Sequence, residues 1–362
     1  MKYDVAIIGT GPAGGMAACS LANTGLNVVV LEKEELPRHK SCGGAMPSCV
    51  KGFFDWDIDP VIEKEITRMK SLYNFRQPHT VTSENAPVIL VNRNHFDADL
   101  VHRALDMGKG SITLREGVKV SRVEEKETHV VISADRSAPV YANYLIAADG
   151  AGSKTALCLG LNRDRSNAIA IDAEVEVTTE TYDTESEQMT FNYYCVPCGY
   201  GWIFPKKDNL LSCGIGVWEG RTNMKKAMSA FLERSFLPGT VKSVKYYGHP
   251  IPIYSGHRMI ASKRTCLAGD AASLVDPILG EGIRYALKSG MIAANVIAGL
   301  SGVKIDSGLN DEITSSGLND CSIYQSLIYE YICNQLEILY RFKLLPYLKA
   351  PEFYYNQYVL GH

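Results

Sequence analysis

Four short stretches of this 362-residue chain carry residue types whose spacing can do chemistry. The first is Gly9-Thr10-Gly11-Pro12-Ala13-Gly14, followed by Glu32 eighteen residues after Gly14. Glycines in that pattern let a backbone approach a pyrophosphate, and an acid at that distance can accept hydrogen bonds from ribose hydroxyls. The second and third are Asp149-Gly150 and Gly269-Asp270, each closing an apolar run (Tyr144-Leu145-Ile146-Ala147-Ala148 and Thr265-Cys266-Leu267-Ala268). The fourth is Asp276-Pro277-Ile278-Leu279-Gly280-Glu281-Gly282-Ile283, which leads into a helical run from Arg284 to about Leu300. Backbone N–H groups at such a helix start, with the positive end of its dipole, suit an anionic group. Two cysteine patterns offer other chemistry. Cys42 lies in Lys40-Ser41-Cys42-Gly43-Gly44-Ala45, a tight loop that permits close backbone approach. Cys195-Val196-Pro197-Cys198 has the spacing of zinc and redox sites, but no second pair exists and no βα start follows it. It reads as a structural turn, and no metal site is expected.

The elements that must position these residues are legible beside them. Val5-Ala6-Ile7-Ile8 is a continuous apolar run, the pattern of a strand buried on both faces. Gly15 to Ala22 has helix-forming composition, and Val28-Val29-Val30-Leu31 is a second buried strand ending at Glu32. Strand, turn, helix, strand and acid in register make a complete βαβ dinucleotide-binding unit. Gly9 serves the turn, Gly11 the approach to phosphate and Gly14 the packing of helix on strand. This unit alone leaves FAD and NAD open. Further on, residues 168–177, 187–196, 200–205, 210–217 and 244–252 alternate or run apolar with β-branched and aromatic content and read as strands of an antiparallel sheet. Pro205 to Asn209 form a hairpin connection.

Composition excludes several classes. Hydrophobic residues are 46% and charged residues 21%, the balance of a globular protein. The net charge is −3, from 37 Lys and Arg against 40 Asp and Glu, with no basic block, so no nucleic-acid partner is expected. No apolar run reaches the roughly 18–20 residues of a membrane-spanning helix. The segment Met1 to Gly9 carries an acid and turns glycine-rich at once, which reads as a strand and not as a secretory signal. A cytoplasmic location is therefore expected, and the ten scattered cysteines read as free thiols.

In their order along the chain, the fingerprint, Asp149-Gly150, Gly269-Asp270 and the Gly280–Ile283 helix start resemble the FAD-dependent hydroxylase superfamily, the p-hydroxybenzoate hydroxylase-like flavoproteins. The Lys40–Gly44 segment and Gly199-Tyr200-Gly201-Trp202-Ile203-Phe204-Pro205-Lys206, followed by Gly214-Ile215-Gly216, narrow the resemblance to the geranylgeranyl reductase family, over about residues 1–300. That family hydrogenates C=C bonds of polyprenyl chains. The resemblance implies an α/β fold: a Rossmann-type FAD-binding domain, an antiparallel-sheet substrate domain that covers the flavin, and a short helical C-terminal region. The boundaries expected are 1–75 with 88–165 and 255–302 for the FAD domain, 76–87 and 166–254 for the sheet domain, 303–320 for a linker and 321–362 for the helical region. The linker contains the repeated Ser307-Gly308-Leu309-Asn310-Asp311 and Ser316-Gly317-Leu318-Asn319-Asp320, and 321–350 shows a helical period. That apolar, tyrosine-rich helix could pack on the domain, wall a lipid cavity or lie at a membrane surface.

The resemblance also assigns the cofactor and its contacts. FAD is expected against Gly9, Gly11, Ala13, Gly14, Glu32, Cys42, Gly43, Ala45, Arg93, Val120, Asp149, Asp270, Gly282 and Ile283. Among these, Val120 matches a position that touches adenine, Asp149 lies near the pyrophosphate, Asp270 bonds the ribitol, and Gly282 and Ile283 present N–H groups to the flavin N1/O2 edge. Cys42 has two readings, backbone contact to FAD or a thiol that tunes redox or donates a proton. Tyr200, Trp202 and Phe204 share one strand face by the period of two. They either line an apolar substrate pocket or form sheet core. Cys42 and Tyr200 are the candidate catalytic residues as proton donors. The implied reaction is reduction of an isoprenoid lipid, with electrons from NAD(P)H or a carrier protein and peripheral contact with a membrane. A monooxygenase acting on an aromatic or other small substrate is the alternative, and a non-enzymatic FAD-binding protein a third reading.

Overall fold

A computed structural model of the chain describes residues 2–135, 137–218, 222–303 and 319–342. Its contacts divide the chain into two compact units, the first built from residues up to Arg38 with Asn94–Ser166 and Pro252–Arg341, the second from His39–Arg93 and Asn167–Ile251.

In the first unit, β1 (Lys2–Ile8), α1 (Pro12–Leu21) and β2 (Val28–Leu31) realise the βαβ pattern. Val5 to Ile8 and Val28 to Leu31 are all buried, as their unbroken apolar runs require. In the same numbering, the second unit holds β3 (Ala45–Pro47), β4 (Ile62–Ile66), β5 (Arg68–Tyr73), β6 (Arg76–Thr82) and β7 (Val88–Val91). The chain then returns to the first unit through α2 (Arg93–Gly108), β8 (Ile112–Arg115), β9 (Val120–Glu125), β10 (Val130–Ala134), β11 (Val140–Ala147) and α3 (Lys154–Leu159). The sheet order is β8-β2-β1-β11-β10-β9, and a later strand at Thr265–Leu267 pairs parallel with β11. The pairs β8–β2, β2–β1 and β1–β11 are parallel, whereas β11, β10 and β9 form an antiparallel meander.

The second unit continues with β12 (Ala168–Val177), α4 (Thr179–Glu185), β13 (Gln188–Tyr193), β14 (Gly199–Pro205), β15 (Leu210–Val217), α5 (Met224–Ser235) and β16 (Val241–Ile251). Its main sheet runs β16-β12-β15-β14-β13-β5-β6, antiparallel except for the parallel pair β13–β5. Met228, Phe231 and Leu232 of α5 fill one face together with Ala173, Val175, Ile203, Cys213 and Ile215. By the alternation of strands, Asp172, Tyr200, Trp202, Phe204 and Ser212 belong to the opposite face. The expected strand 187–196 ends at Tyr193 because Tyr194 (φ 60°) and Cys198 (φ 50°) adopt left-handed conformations in the turn to β14. Cys195 and Cys198 sit in this turn as free cysteines, and among the described residues no group of His, Cys, Asp and Glu is arranged to hold a metal.

The unit boundaries differ from those expected. Residues 39–75 and 88–93 group with the second unit, not with the first. The reason is long-range pairing: β5 adds to β13, and β7 pairs with β3 and β4.

After β17 (Thr265–Leu267), the first unit continues with α6 (Ile283–Leu300). This helix lies so close to α1 that a Cβ on Gly290 would stand 2.1 Å from the Ala13 carbonyl oxygen. The expected helix after residue 320 is two helices, Ser322–Ile328 and Asn334–Phe342, joined by a π-helical turn, Tyr329–Cys333. It packs within the first unit: the buried Tyr324 hydroxyl donates to the Leu267 carbonyl at 2.7 Å. Residues 304–318, with most of the repeat, and 343–362 lie outside the described residues. No helix among the described residues is long and apolar enough to cross a membrane.

Candidate functional site

The three glycines of the first turn have separable duties. Gly9 has φ 95°, and a Cβ there would lie 2.4 Å from the Ala148 carbonyl oxygen. A Cβ on Gly14 would lie 1.9 Å from the Gly9 carbonyl oxygen. Both are required by the chain's own packing. Gly11 is different: its φ is −68°, and a Cβ would meet only Arg38 Nη2, at 4.0 Å. The space beside Gly11 is kept open at the N-terminus of α1, where the backbone dipole favours an anion. Ala13 serves the α1–α6 packing through its carbonyl, next to Gly290.

Glu32, at the end of β2, is buried. Its Oε2 accepts from the Thr10 backbone N–H at 2.9 Å and the Thr10 hydroxyl at 2.5 Å, and its Oε1 from Lys33 N–H at 2.9 Å and Glu34 N–H at 3.2 Å. Burial pushes the carboxyl up, but the Thr10 hydroxyl and the Arg38 guanidinium outweigh it and hold the group below its ordinary value. Glu32 is therefore held as an ionised hydrogen-bond acceptor. Arg38 bridges Glu32 (Nε–Oε2 3.6 Å) and the fully buried Asp97 of α2 (Nη2–Oδ2 3.1 Å). Its Nη1 is buried and, among the described residues, has no hydrogen-bond partner. An unmatched cationic donor next to the open space at Gly11 fits a phosphate-bearing cofactor. Sequence reasoning missed Arg38; the signal was a basic residue six positions after Glu32.

The other candidates fall into place around this turn or away from it. Val120 begins β9 and pairs with Ala134, whereas Val118 N–H donates to the Glu32 carbonyl at 2.8 Å. Asp149 caps the turn into α3, accepting from Ser153 Oγ at 2.6 Å and from Thr155 N–H and Oγ1 at 3.0 and 3.1 Å. Asp270 lies in the short helical turn Gly269–Ala272, and a Cβ on Gly282 would stand 3.5 Å from its Oδ1. The structure therefore brings Asp270 together with Gly282 and Ile283, which start α6. Asp276 Oδ1 accepts the Ile278 and Leu279 N–H groups and shapes the loop before that helix. Arg93, the first residue of α2, is buried.

Glu281 stands at the same helix start. Its Oε1 accepts the Arg284 N–H at 2.8 Å, while its buried Oε2 has Arg284 Nε at 3.5 Å and, among the described residues, no hydrogen bond. Burial pushes this carboxyl up to about 7, only partly offset by Arg284. The folded state then keeps a proton that the unfolded state has lost, so stability falls as pH rises from about 4.5 towards 7. Glu281→Gln is expected to remove that fall. Denaturant titrations across this range should show the variant gaining on the parent by about 2–3 kcal/mol at pH 7. Parallel curves for the two proteins would show that Glu281 is ionised throughout.

In the second unit the segment His39–Gly44 runs across the sheet face opposite α5. The His39 ring stacks on Tyr247 of β16 with centroids 4.2 Å apart, Lys40 Nζ contacts His249, and Ser41 Oγ bonds Asp172 of β12 at 3.2 Å. A Cβ on Gly43 would lie 2.7 Å from the Phe204 ring of β14 and 3.8 Å from Trp202 Nε1. Cys42 is half-buried, and its Sγ accepts the Gly44 N–H at 3.3 Å. Gly44 (φ 74°) leads into β3 at Ala45, beside Lys206 Nζ, which donates to the Val91 carbonyl at 3.0 Å and faces Glu63 at 3.5 Å. Tyr200, Trp202 and Phe204 join Phe191, Tyr193 and Trp218 in an aromatic layer with centroid spacings of 5.1–6.3 Å.

Comparison with known proteins agrees with this geometry. Residues 2–222 match the FAD binding domain family. Digeranylgeranylglycerophospholipid reductase 1 of Methanosphaera stadtmanae is 30% identical over 315 residues, spanning 82% of this chain and 75% of that protein. The chloroplastic geranylgeranyl diphosphate reductase of Arabidopsis thaliana is 31% identical over 320 residues, 82% of this chain and 66% of the plant protein. A geranylgeranyl bacteriochlorophyll reductase-like protein from Thermoplasma acidophilum shares the fold, with a TM-score of 0.79 and 24% identity over 96% of this chain and 88% of that one. The open cradle at Gly11, the ionised Glu32 and the unmatched Arg38 donor fit FAD as the cofactor. The chain belongs to the FAD binding domain family, and within it to the geranylgeranyl reductase-like FAD-dependent oxidoreductases.

Proposed function

We propose that this oxidoreductase adds hydrogen across isolated C=C bonds of an isoprenoid lipid. The observation that supports this most is the aromatic face of β14, Tyr200, Trp202 and Phe204, with the Cys42-Gly43-Gly44 loop laid against it. Such a face binds an apolar chain without directing it by charge. Relatives named as prenyl reductases over 82% of the chain support the same reading.

When bound, FAD supplies the hydride in its reduced form. The chain's own residues hold it: Gly11 and Arg38 take the pyrophosphate, Glu32 the ribose, Asp270 the ribitol, and the start of α6 at Gly282 and Ile283 the electron-rich edge of the ring, where a dipole favours the reduced state. An isolated alkene is a poor hydride acceptor, so apolar positioning and exclusion of water carry much of the rate. Electrons come from NAD(P)H or a carrier protein, and contact with a membrane is peripheral.

The test is anaerobic photoreduction of the flavin-loaded protein followed by geranylgeranyl diphosphate or a digeranylgeranyl lipid. Reoxidation with a product heavier by two hydrogens per bond is expected. Reduced flavin that no prenyl compound reoxidises, but that consumes oxygen when an aromatic compound is added, would assign the protein to the monooxygenases instead.

A further inference from the structure

We propose that Asp97 of α2 is a positioning residue for the cofactor: it holds the Arg38 guanidinium off Glu32 and beside the opening at Gly11, so that Arg38 meets the diphosphate of FAD. The inference rests on the reading above that gives the pyrophosphate to Gly11 and Arg38. All four residues belong to the first unit.

Arg38 ends a segment, residues 32–38, that has no regular secondary structure. The backbone there does not fix where a long side chain points. Asp97 supplies the fixed point. It lies three residues before Leu100 on α2, and Leu100 is locked against α1. A Cβ on Gly15 would stand 2.7 Å from the Leu100 Cβ, and Cys19 Sγ donates to the Leu100 carbonyl at 3.0 Å. Phe96, Leu100 and Val101 of the same helix are buried. Asp97 is thereby tied to the helix whose N-terminus opens at Gly11.

Apolar packing gives no reason for an acid at this position, since Asp97 has no exposed surface. Taking a carboxylate out of water is costly unless a cation meets it. Arg38 Nη2 does so, 3.1 Å from Oδ2. Arg38 Nε stands 3.6 Å from Glu32 Oε2, an ion pair without a hydrogen bond. Two acids therefore hold the guanidinium at two of its nitrogens. The third, Nη1, is buried and has no hydrogen-bond partner among the described residues. Nη2 is also the atom nearest to where a Gly11 Cβ would stand, at 4.0 Å. A planar fork held at Nε and Nη2 has its remaining donors fixed in direction, which suits the oxygens of a diphosphate. Without the charge on Asp97 the pull of Glu32 is unopposed. Nε then closes on Oε2, and the donors turn from Gly11.

This reading and simple charge counting predict opposite signs. Glu32, Asp97 and Arg38 together carry one negative charge, so neutralising Asp97 would by long-range attraction alone tighten the binding of an anion. Positioning predicts that it weakens.

The experiment titrates the full chain, freed of flavin, with FAD and ADP, and with adenosine as a competitor. Asp97→Asn, which keeps an acceptor for Nη2, should weaken FAD and ADP about tenfold or more. The preference for ADP over adenosine should shrink by the same factor, a change that general damage to the fold does not produce. Arg38→Gln should weaken ADP at least as much, and adding Asp97→Asn to it should have no further effect, because Asp97 acts through Arg38. Melting temperatures of the ligand-free proteins report folding. If Arg38→Gln, which strands the buried acid, does not fold, the double variant is compared with Asp97→Asn directly and should bind ADP no better. An Asp97→Asn protein that binds ADP as tightly as the parent or more tightly, or that loses adenosine in equal measure, overturns the inference and leaves the cofactor site standing. A parent protein that binds FAD but does not prefer ADP to adenosine takes down the placement of the pyrophosphate as well.

Discussion

A Gly11→Ala protein is expected to fold like the parent and to lose most of its FAD, whereas Gly14→Ala loses both fold stability and cofactor. The two glycines differ by three positions and by what stands against them. At Gly14 the added methyl meets the Gly9 carbonyl oxygen at 1.9 Å, a backbone atom that cannot swing aside. Relief requires α1 to move off β1, and overpacking of that kind costs about 1–3 kcal/mol or more. At Gly11 the backbone is in a conformation any residue adopts, and the methyl finds nothing nearer than Arg38 Nη2 at 4.0 Å. Apoprotein stability should therefore change by less than about 0.5 kcal/mol. With the pyrophosphate placed at Gly11 as proposed above, the methyl takes up that space, so FAD affinity should drop at least about tenfold, or ~1.4 kcal/mol. Urea unfolding of the two apoproteins and flavin fluorescence titrations separate the effects. Equal losses of stability in both variants would mean that Gly11 serves the turn and not the ligand.

The second large effect is expected at Gly44. Its φ of 74° is unfavourable for any residue with a side chain, and a Cβ there would stand 2.1 Å from the Val91 carbonyl oxygen and 2.8 Å from Lys206 Nζ. The same junction carries the Val91 N–H bond to the Gly44 carbonyl at 3.0 Å. Gly44→Ala must break that bond or distort β7, and with it lift the His39–Gly44 segment from the sheet. A loss of about 3 kcal/mol or more in urea unfolding is expected, with the reaction of reduced flavin towards prenyl substrate lost in parallel. Gly52→Ala, where a Cβ meets nothing within 4 Å, is the control and should be near neutral. A Gly44→Ala protein as stable as this control would show that the segment is not held at that point.

The local half of the molecule was legible and the long-range half was not, for a physical reason. Val5–Ile8, Gly9–Gly14, the helix and Val28–Glu32 signal through short periods and adjacent glycines, so the βαβ unit reads directly from the chain. The strands at 168–177, 200–205 and 210–217 also announce themselves, by β-branched and aromatic runs. Nothing in residues 39–75 says which sheet they join, because that is settled by β5 meeting β13 and by His39, Ser41 and Gly43 meeting β16, β12 and β14. Arg38 was invisible for a related reason. It is a single charged residue without a spacing pattern, and its meaning comes from a partner 59 residues away, Asp97.

The parallel pairing of β13 with β5 has a consequence for biosynthesis. The β5–β6 hairpin leaves the ribosome early, but the strand that covers its open edge is made 120 residues later, Arg68 aligning with Gln188. Until then the nascent chain carries an uncovered strand edge, the kind of edge through which chains associate. Fusions or truncations that stop translation between these two segments should yield insoluble product, and chaperone demand during expression should fall once the later strand has emerged.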